Sequence, residues 1–155
     1  MTEATIESSF GLIRLIFENR DLVRVEQAVS RAESGRIPDE VMTPVIDCIE
    51  GRRDGIGIPV KFEGSEFQIK VWEALRGVPP GQVISYSELA KRAGNIRATR
   101  AVASACGQNP CAIVVPCHRI VRRDRGLGGF FWGLDVKRTL LEREGIKISH
   151  HNYIL

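Results

Sequence analysis

The tetrapeptide Ser65-Glu66-Phe67-Gln68 divides this chain in two. A serine three residues ahead of a glutamine is a capping box, in which the two residues reciprocally satisfy the first free N–H groups of a helix. Most residues before it are punctuated for strands, and those after it for helices. Gly11 to Phe17 and Leu22 to Val29 are rich in Ile, Leu and Val, and the polar turn Glu18-Asn19-Arg20-Asp21 between them predicts a hairpin. Pro38-Asp39-Glu40, followed by Val41, Val45, Ile46 and Ile49, predicts an amphipathic helix closed near Gly51. Ile56 to Phe62 then predicts a short strand. The expected class is α+β, with a small N-terminal structural α/β domain over residues 1–63 and a mainly helical domain over residues 64–155.

In the second half, the first helix carries an apolar face of Phe67, Val71, Trp72 and Leu75 and stops at Gly77 to Gly81, around Pro79-Pro80. A second capping box, Ser85-Tyr86-Ser87-Glu88, starts a short helix that Gly94 closes. Asn95 is placed to cap a third helix running through Arg97, Arg100 and Val102 to about Cys106. Two helices joined by a tight Gly-Asn turn form a helix-turn-helix candidate. Arg97 and Arg100 would share one face of its second helix, whose small residues Ala98, Ala101, Ala103, Ser104 and Ala105 allow close approach to a duplex.

Charge separates along the same division. Residues 1–80 carry ten Lys and Arg against fourteen Asp and Glu, and residues 81–155 carry twelve against five. A basic half suits a polyanionic partner, because clustered Lys and Arg neutralise phosphates and release counterions. With 43% hydrophobic and 26% charged residues the chain lies far from the composition of disordered proteins. Cys48, Cys106, Cys111 and Cys117 show no disulfide framework and suit a reducing compartment. No secretory signal is expected, and no apolar run nears the roughly 18 residues needed to span a bilayer. A cytoplasmic protein, or a nuclear one in a eukaryote, with no membrane partner is expected.

After the turn Gly107-Gln108-Asn109-Pro110, the apolar run Ala112-Ile113-Val114-Val115 predicts a buried extended segment that delivers Pro116-Cys117-His118-Arg119. Read alone, Cys117 is either an inert buried thiol or, beside arginines that lower its pKa, a nucleophile. Adjacent Cys and His could also be half of a metal site, but the other histidines, His150 and His151, lie at the C-terminus and no second ligand pair exists. No metal is expected.

Val115-Pro116-Cys117-His118-Arg119-Ile120 is preceded by Ile84-Ser85-Tyr86 and by Gly107-Gln108-Asn109-Pro110. It is followed by Leu134, Lys137, Leu140, Leu141 and Glu144-Gly145. In this order and spacing, from about Phe67 to Gly145, the sequence resembles the methylated-DNA-protein-cysteine methyltransferases, also called O6-alkylguanine-DNA alkyltransferases. The resemblance implies a winged-helix-like helix-turn-helix with a Pro-Cys-His-Arg active-site strand. It also implies direct-reversal DNA repair: a single-turnover transfer of the alkyl group from O6-alkylguanine onto Cys117, with O4-alkylthymine left open as a second substrate. His118 would take the thiol proton through a water, Glu144 would orient the imidazole, and Tyr86 would donate to the base. The partner would be double-stranded DNA with the lesion flipped out, contacted by Ser85, Arg97, Arg100, Ala101 and Arg119, with Arg100 filling the gap in the stack and Asn109 acting as a hinge. No cofactor is implied, because the damaged DNA is itself the alkyl donor, and a monomer is expected. The structural zinc of some relatives is not, since Cys48 is the only Cys, and no His is present, in the first 63 residues.

Gly126, Gly128 and Gly129, followed by Phe130-Phe131-Trp132-Gly133, resemble the family's pocket loop, with two departures. Phe130 stands where a tyrosine is common and Trp132 where some members have glycine, so the indole should narrow the pocket and favour methyl over benzyl-sized groups. Two other classes fit fewer of these features. A non-catalytic module recognising alkylated bases and recruiting other factors has no use for an acceptor cysteine. A Cys-His-Glu hydrolase has no use for the helix-turn-helix.

Overall fold

The computed structural model describes residues 1–155 and divides into two compact units. One comprises Met1–Glu63 together with Pro110–Val114, and the other comprises Gly64–Asn109 together with Val115–Leu155. The residues expected as one continuous C-terminal domain are therefore interrupted by five that pack with the N-terminal unit.

The first unit is built on an antiparallel meander of β1 (Thr2–Ser8), β2 (Gly11–Glu18) and β3 (Asp21–Gln27), in that order. Ile13, Leu15 and Phe17 alternate into the core, as the two-residue period of a strand requires. Asn19, at a φ of 59°, makes the tight β2–β3 turn, a conformation that asparagine tolerates better than most residues. Helix α1 (Asp39–Ile49) buries Val45, Cys48 and Ile49. Residues 56–62 do not form the expected strand: Leu22 alone pairs there, bridging Val60 through hydrogen bonds to Pro59 O and from Lys61 N. The proline at 59 and the glycines at 55 and 57 leave too little regular backbone for a ladder.

Pro110–Val114 returns to this unit beside β3. Val25 N donates to Pro110 O, Val25 and Cys111 form a parallel bridge, and the Cys111 thiol reaches Val23 O at 3.2 Å. A Cβ at Gly55 would lie 2.3 Å from Val114 O, so the approach of this segment requires glycine. The segment is buried, as its composition predicts, but it is not extended: Ile113 has a φ of 75° and turns the chain.

In the second unit, α2 (Glu66–Arg76) begins with the full capping box. Ser65 Oγ accepts from Gln68 N, and Gln68 Oε1 accepts from Ser65 N. Val71, Trp72 and Leu75 are buried, and Trp72 Nε1 donates to Ala105 O at 2.9 Å, tying α2 to the later helix that spans Thr99–Gly107. Strand β4 (Ile84–Ser85) leads into α3 (Tyr86–Arg92), where Ser85 Oγ accepts from Glu88 N. Helix α4 (Thr99–Gly107) begins later than expected, because Asn95 caps a turn instead: its Oδ1 accepts from Arg97 N and its carbonyl from Ala98 N. Arg97 therefore lies outside α4 and does not share a helix face with Arg100.

Cys117–Arg119 forms a single 3-10 turn rather than a strand, followed by β5 (Ile120–Val121), which pairs in parallel with β4. Helix α5 (Leu134–Arg143) buries Lys137, Leu140 and Leu141. Leu134, at its first position, is 41% exposed. Val121, Leu127, Leu141, Ile148 and Ile154 close the core of this unit. No helix is long and apolar enough to cross a membrane.

Candidate active site

The parallel β4–β5 pairing sets Ile84 opposite Ile120 and Ser85 opposite Val121, so the Cys117–Arg119 turn enters this small sheet at one end and α3 leaves it at the other. Cys117 and His118 on that turn are both buried. His118 is 1% exposed, and its Nε2 lies 3.1 Å from Glu144 Oε2 at the C-terminal cap of α5. The other ring nitrogen, Nδ1, is buried with no hydrogen-bond partner in the protein. One nitrogen is thus held by a carboxylate and the other is available to a proton.

Arg119 is not a surface contact. It is 3% exposed, and its Nε and Nη2 fork onto the Glu144 carboxylate at 2.7–3.1 Å while Nη1 donates to Val78 O at 2.7 Å. Its assignment to DNA binding is corrected accordingly: a buried guanidinium needs a buried counter-charge, and Glu144 supplies it.

Burial pushes the Cys117 thiol up, against the opposing influence of a hydrogen bond with Asn109 and the charge of Lys137. This corrects the expectation of a thiol depressed by arginines, because Arg119 is committed to Glu144. The resting group is a thiol, which therefore needs a base. Burial also lowers the pKa of His118, more than Glu144 raises it, so the imidazole is neutral near pH 7. Burial of Tyr86, with the nearby Cys106 and Cys117, pushes its phenol up to about 12, leaving it a hydrogen donor.

Burial alone would raise the Glu144 carboxyl, but hydrogen bonds from His118 and Arg119 and their charges hold it at about 2. An unfolded glutamate would titrate near its ordinary value of 4.5. A depressed folded pKa stabilises above the unfolded value and loses that contribution as pH falls towards the folded one. Acidification from pH 4.5 to 2 is therefore expected to lower Tm more steeply in the wild type than in Glu144→Gln, as thermal melts in a pH series would read. Parallel curves for the two proteins would show that Glu144 does not carry this dependence.

Asn109 holds the turn from its N-terminal side, donating from Nδ2 to Val115 O at 2.9 Å. Ser85 Oγ is engaged with Glu88 N and Ser87 Oγ. Arg97, Arg100 and Ala101 lie on the opposite side of the ledger from Arg119: Arg100 and Ala101 are exposed, as is Arg97 in the turn before α4. In the pocket loop Phe130 is half-buried, Trp132 is buried and Phe131 is 82% exposed, so the three aromatics do not act as one cluster.

Lys137 belongs to the site, although the sequence alone assigns it no role. Fully buried, its Nζ donates to Ile120 O, Leu127 O and Gly129 O at 2.6, 2.5 and 3.3 Å. It clamps the pocket loop onto the strand that succeeds the Cys117 turn, and burial lowers its pKa to about 8 against the opposing pull of Cys117 and Cys106. The signal was its place in the i, i+3, i+4 stripe with Leu140 and Leu141, where a lysine is out of place unless it has partners. No three His, Cys, Asp or Glu side chains are grouped to hold a metal ion.

The mixed α/β fold is shared with a crystal structure of Mycobacterium tuberculosis OGT in complex with DNA. The two superpose with a TM-score of 0.80 at 33% identity, covering 92% of this chain and 91% of that one. Residues 66–146 match the DNA-binding domain of 6-O-methylguanine DNA methyltransferase. A methylated-DNA--protein-cysteine methyltransferase of Mycolicibacterium paratuberculosis is 49% identical over 148 residues, 90% of each protein. The chain belongs to the O6-methylguanine DNA methyltransferase family. It spans less than half the length of the curated Ada proteins it matches: 29% of the Salmonella typhimurium regulatory protein and 41% of the bifunctional transcriptional activator/DNA repair enzyme of Escherichia coli.

Proposed function

We propose that this protein repairs DNA by direct reversal, moving the alkyl group of O6-alkylguanine irreversibly to its own Cys117. The observation that carries the proposal is the buried Cys117–His118 turn with His118 held by Glu144 and its second nitrogen unpaired. His118 Nδ1 takes the thiol proton through a water, and Glu144 stabilises the imidazolium that results. The thiolate sulfur attacks the alkyl carbon, the carbon–oxygen bond breaks, and its electron pair passes to the base, which Tyr86 stabilises by donating its phenolic hydrogen. The product thioether has no leaving group that water could displace, so each chain acts once. No cofactor enters this scheme.

A saturated carbon inside a base pair cannot meet a buried thiol, so the nucleotide is rotated out of the duplex. Helices α3 and α4 act as the helix-turn-helix, with Arg100 near the start of α4 filling the gap and exposed Ala101 allowing close approach. Arg97, in the turn ahead of α4, contributes charge to the same face. Asn109 couples α4 to the active-site turn. Trp132 and Phe130 bound the pocket, and a monomer suffices, acting in a reducing compartment that keeps the four cysteines free.

The test is an intact-mass spectrum before and after incubation with a duplex carrying one O6-methylguanine, with Cys117→Ser alongside. The expected result is a gain of one methylene mass in the wild type, never more than once per chain, and none in the variant. Repair of the base without a mass change would indicate a turnover catalyst. Tight lesion binding with neither would indicate a recognition module.

A further inference from the structure

A cleft of about 430 Å³ opens beside Tyr86, lined by Tyr86, Ser87, Thr99, Arg122, Arg123 and Asp124. Its volume falls in the range of about 300–1,000 Å³ usual for ligand sites. The cleft is not the thiol pocket. Its walls come from the starts of α3 and α4 and from the loop after β5, and its charged groups are unlike those around Cys117.

Arg123 is exposed and makes no ion pair or hydrogen bond within the protein. Arg122 has only Asp124, across a surface pair with both side chains about half exposed. Pairs of this kind contribute little, typically below about 1 kcal/mol, so a better anion can draw Arg122 away. Asp124 is also engaged elsewhere, its Oδ1 accepting from Gly126 N at 2.9 Å. Gly128 explains how Arg122 reaches the cleft. A Cβ there would lie 3.3 Å from Arg122 Cγ and 3.7 Å from Tyr86 Cε2, so the bare glycine lets the arginine stem and the tyrosine ring converge.

Two guanidiniums, one unpaired and one weakly paired, beside three hydroxyl-bearing side chains are suited to an oxyanion with several acceptor oxygens. We infer that Arg122 and Arg123 cradle one backbone phosphate of the DNA strand whose base is presented beside Tyr86. The inference rests on the proposed action on DNA and adds to it a phosphate-holding site distinct from the α4 contacts. The phosphate is one within a strand and not a free anion, because the cleft is open and offers no buried partner to hold a small ion alone.

The test is a fluorescence-anisotropy titration of a duplex carrying one O6-methylguanine over a sodium chloride series, with Cys117→Ser in every protein so that no alkyl group is transferred, for the otherwise wild-type chain, Arg123→Gln and Arg122→Gln/Arg123→Gln. One phosphate contact contributes about 0.9 to the slope of log K against log salt. The double variant is expected to bind more weakly, with a slope shallower by about this amount. Arg52→Gln, which removes an exposed partner of Asp47 in the first unit, is expected to keep the wild-type slope. A double variant with the wild-type slope, or one that falls no further than Arg52→Gln, overturns the cradle. So does inorganic phosphate that displaces the duplex better than chloride at matched ionic strength, since the site would then take free anions. Failure of the alkyl-transfer reading shows separately: a wild type that binds the duplex with the expected slopes but gains no methyl mass retains the cradle and loses the transfer.

Discussion

Exchange of His118 for glutamine is expected to slow alkyl transfer by about 10²–10⁴-fold at saturating methylated duplex, the usual cost of removing a positioned general base. The effect should be large because burial holds the Cys117 thiol above its ordinary range, leaving little thiolate in the resting protein. A thiol already ionised would need no base, and the same substitution would then cost little. The pH profile gives a second reading. The His118 pKa is lowered by burial, so the wild-type rate should hold as pH drops through the usual imidazole range and fail only below it. Rapid-quench single-turnover measurements across that range would check both points. A His118→Gln rate within about threefold of wild type would remove histidine from the mechanism, since general-base contributions are far larger than that.

Much of the second unit was legible because its signals are local. The Ser65 capping box, the Ser85 cap and the Val71-Trp72-Leu75 stripe each act within one or two turns of helix, and each stands where the sequence put it. Strand β1 was not legible, since Thr2-Glu3-Ala4-Thr5 has too few apolar residues to declare a buried face; its partner β2 makes it a strand. Asn95 misled because the same side chain can cap a helix or close a turn, and the choice depends on where α4 packs.

At the site, the pairing of His118 with Glu144 was anticipated only through family resemblance. Twenty-six residues separate the two, and no periodicity reports such a contact. Arg119 was misjudged for the same reason. The resemblance assigned it to the DNA, whereas the fold brings Glu144 back to meet it. Lys137 carried a local signal, a lysine in an apolar stripe, but the three carbonyls that satisfy it come from residues 120, 127 and 129, whose convergence only the fold supplies.

Arg119→Met is expected to destabilise the protein more than any exposed substitution, by about 3–5 kcal/mol, the cost of removing one member of a buried ion pair. For a chain of this size that is a fall of roughly 6–20 °C in Tm. The loss comes mainly from what remains behind. Glu144 keeps its charge with only His118 beside it, a neutral imidazole at pH 7, and the Val78 carbonyl loses its donor. Arg119→Lys should recover only part of the loss, since an ammonium cannot span both carboxylate oxygens and the Val78 carbonyl as the forked guanidinium does. Removing the stranded charge as well, in Arg119→Met/Glu144→Gln, should leave a protein more stable than Arg119→Met alone, although Glu144→Gln by itself should be destabilising. Thermal melts of the four proteins form a double-mutant cycle whose coupling term measures the pair. If the single and double variants melt together, the burial of Arg119 is a matter of packing alone, and Glu144 is held in place by His118.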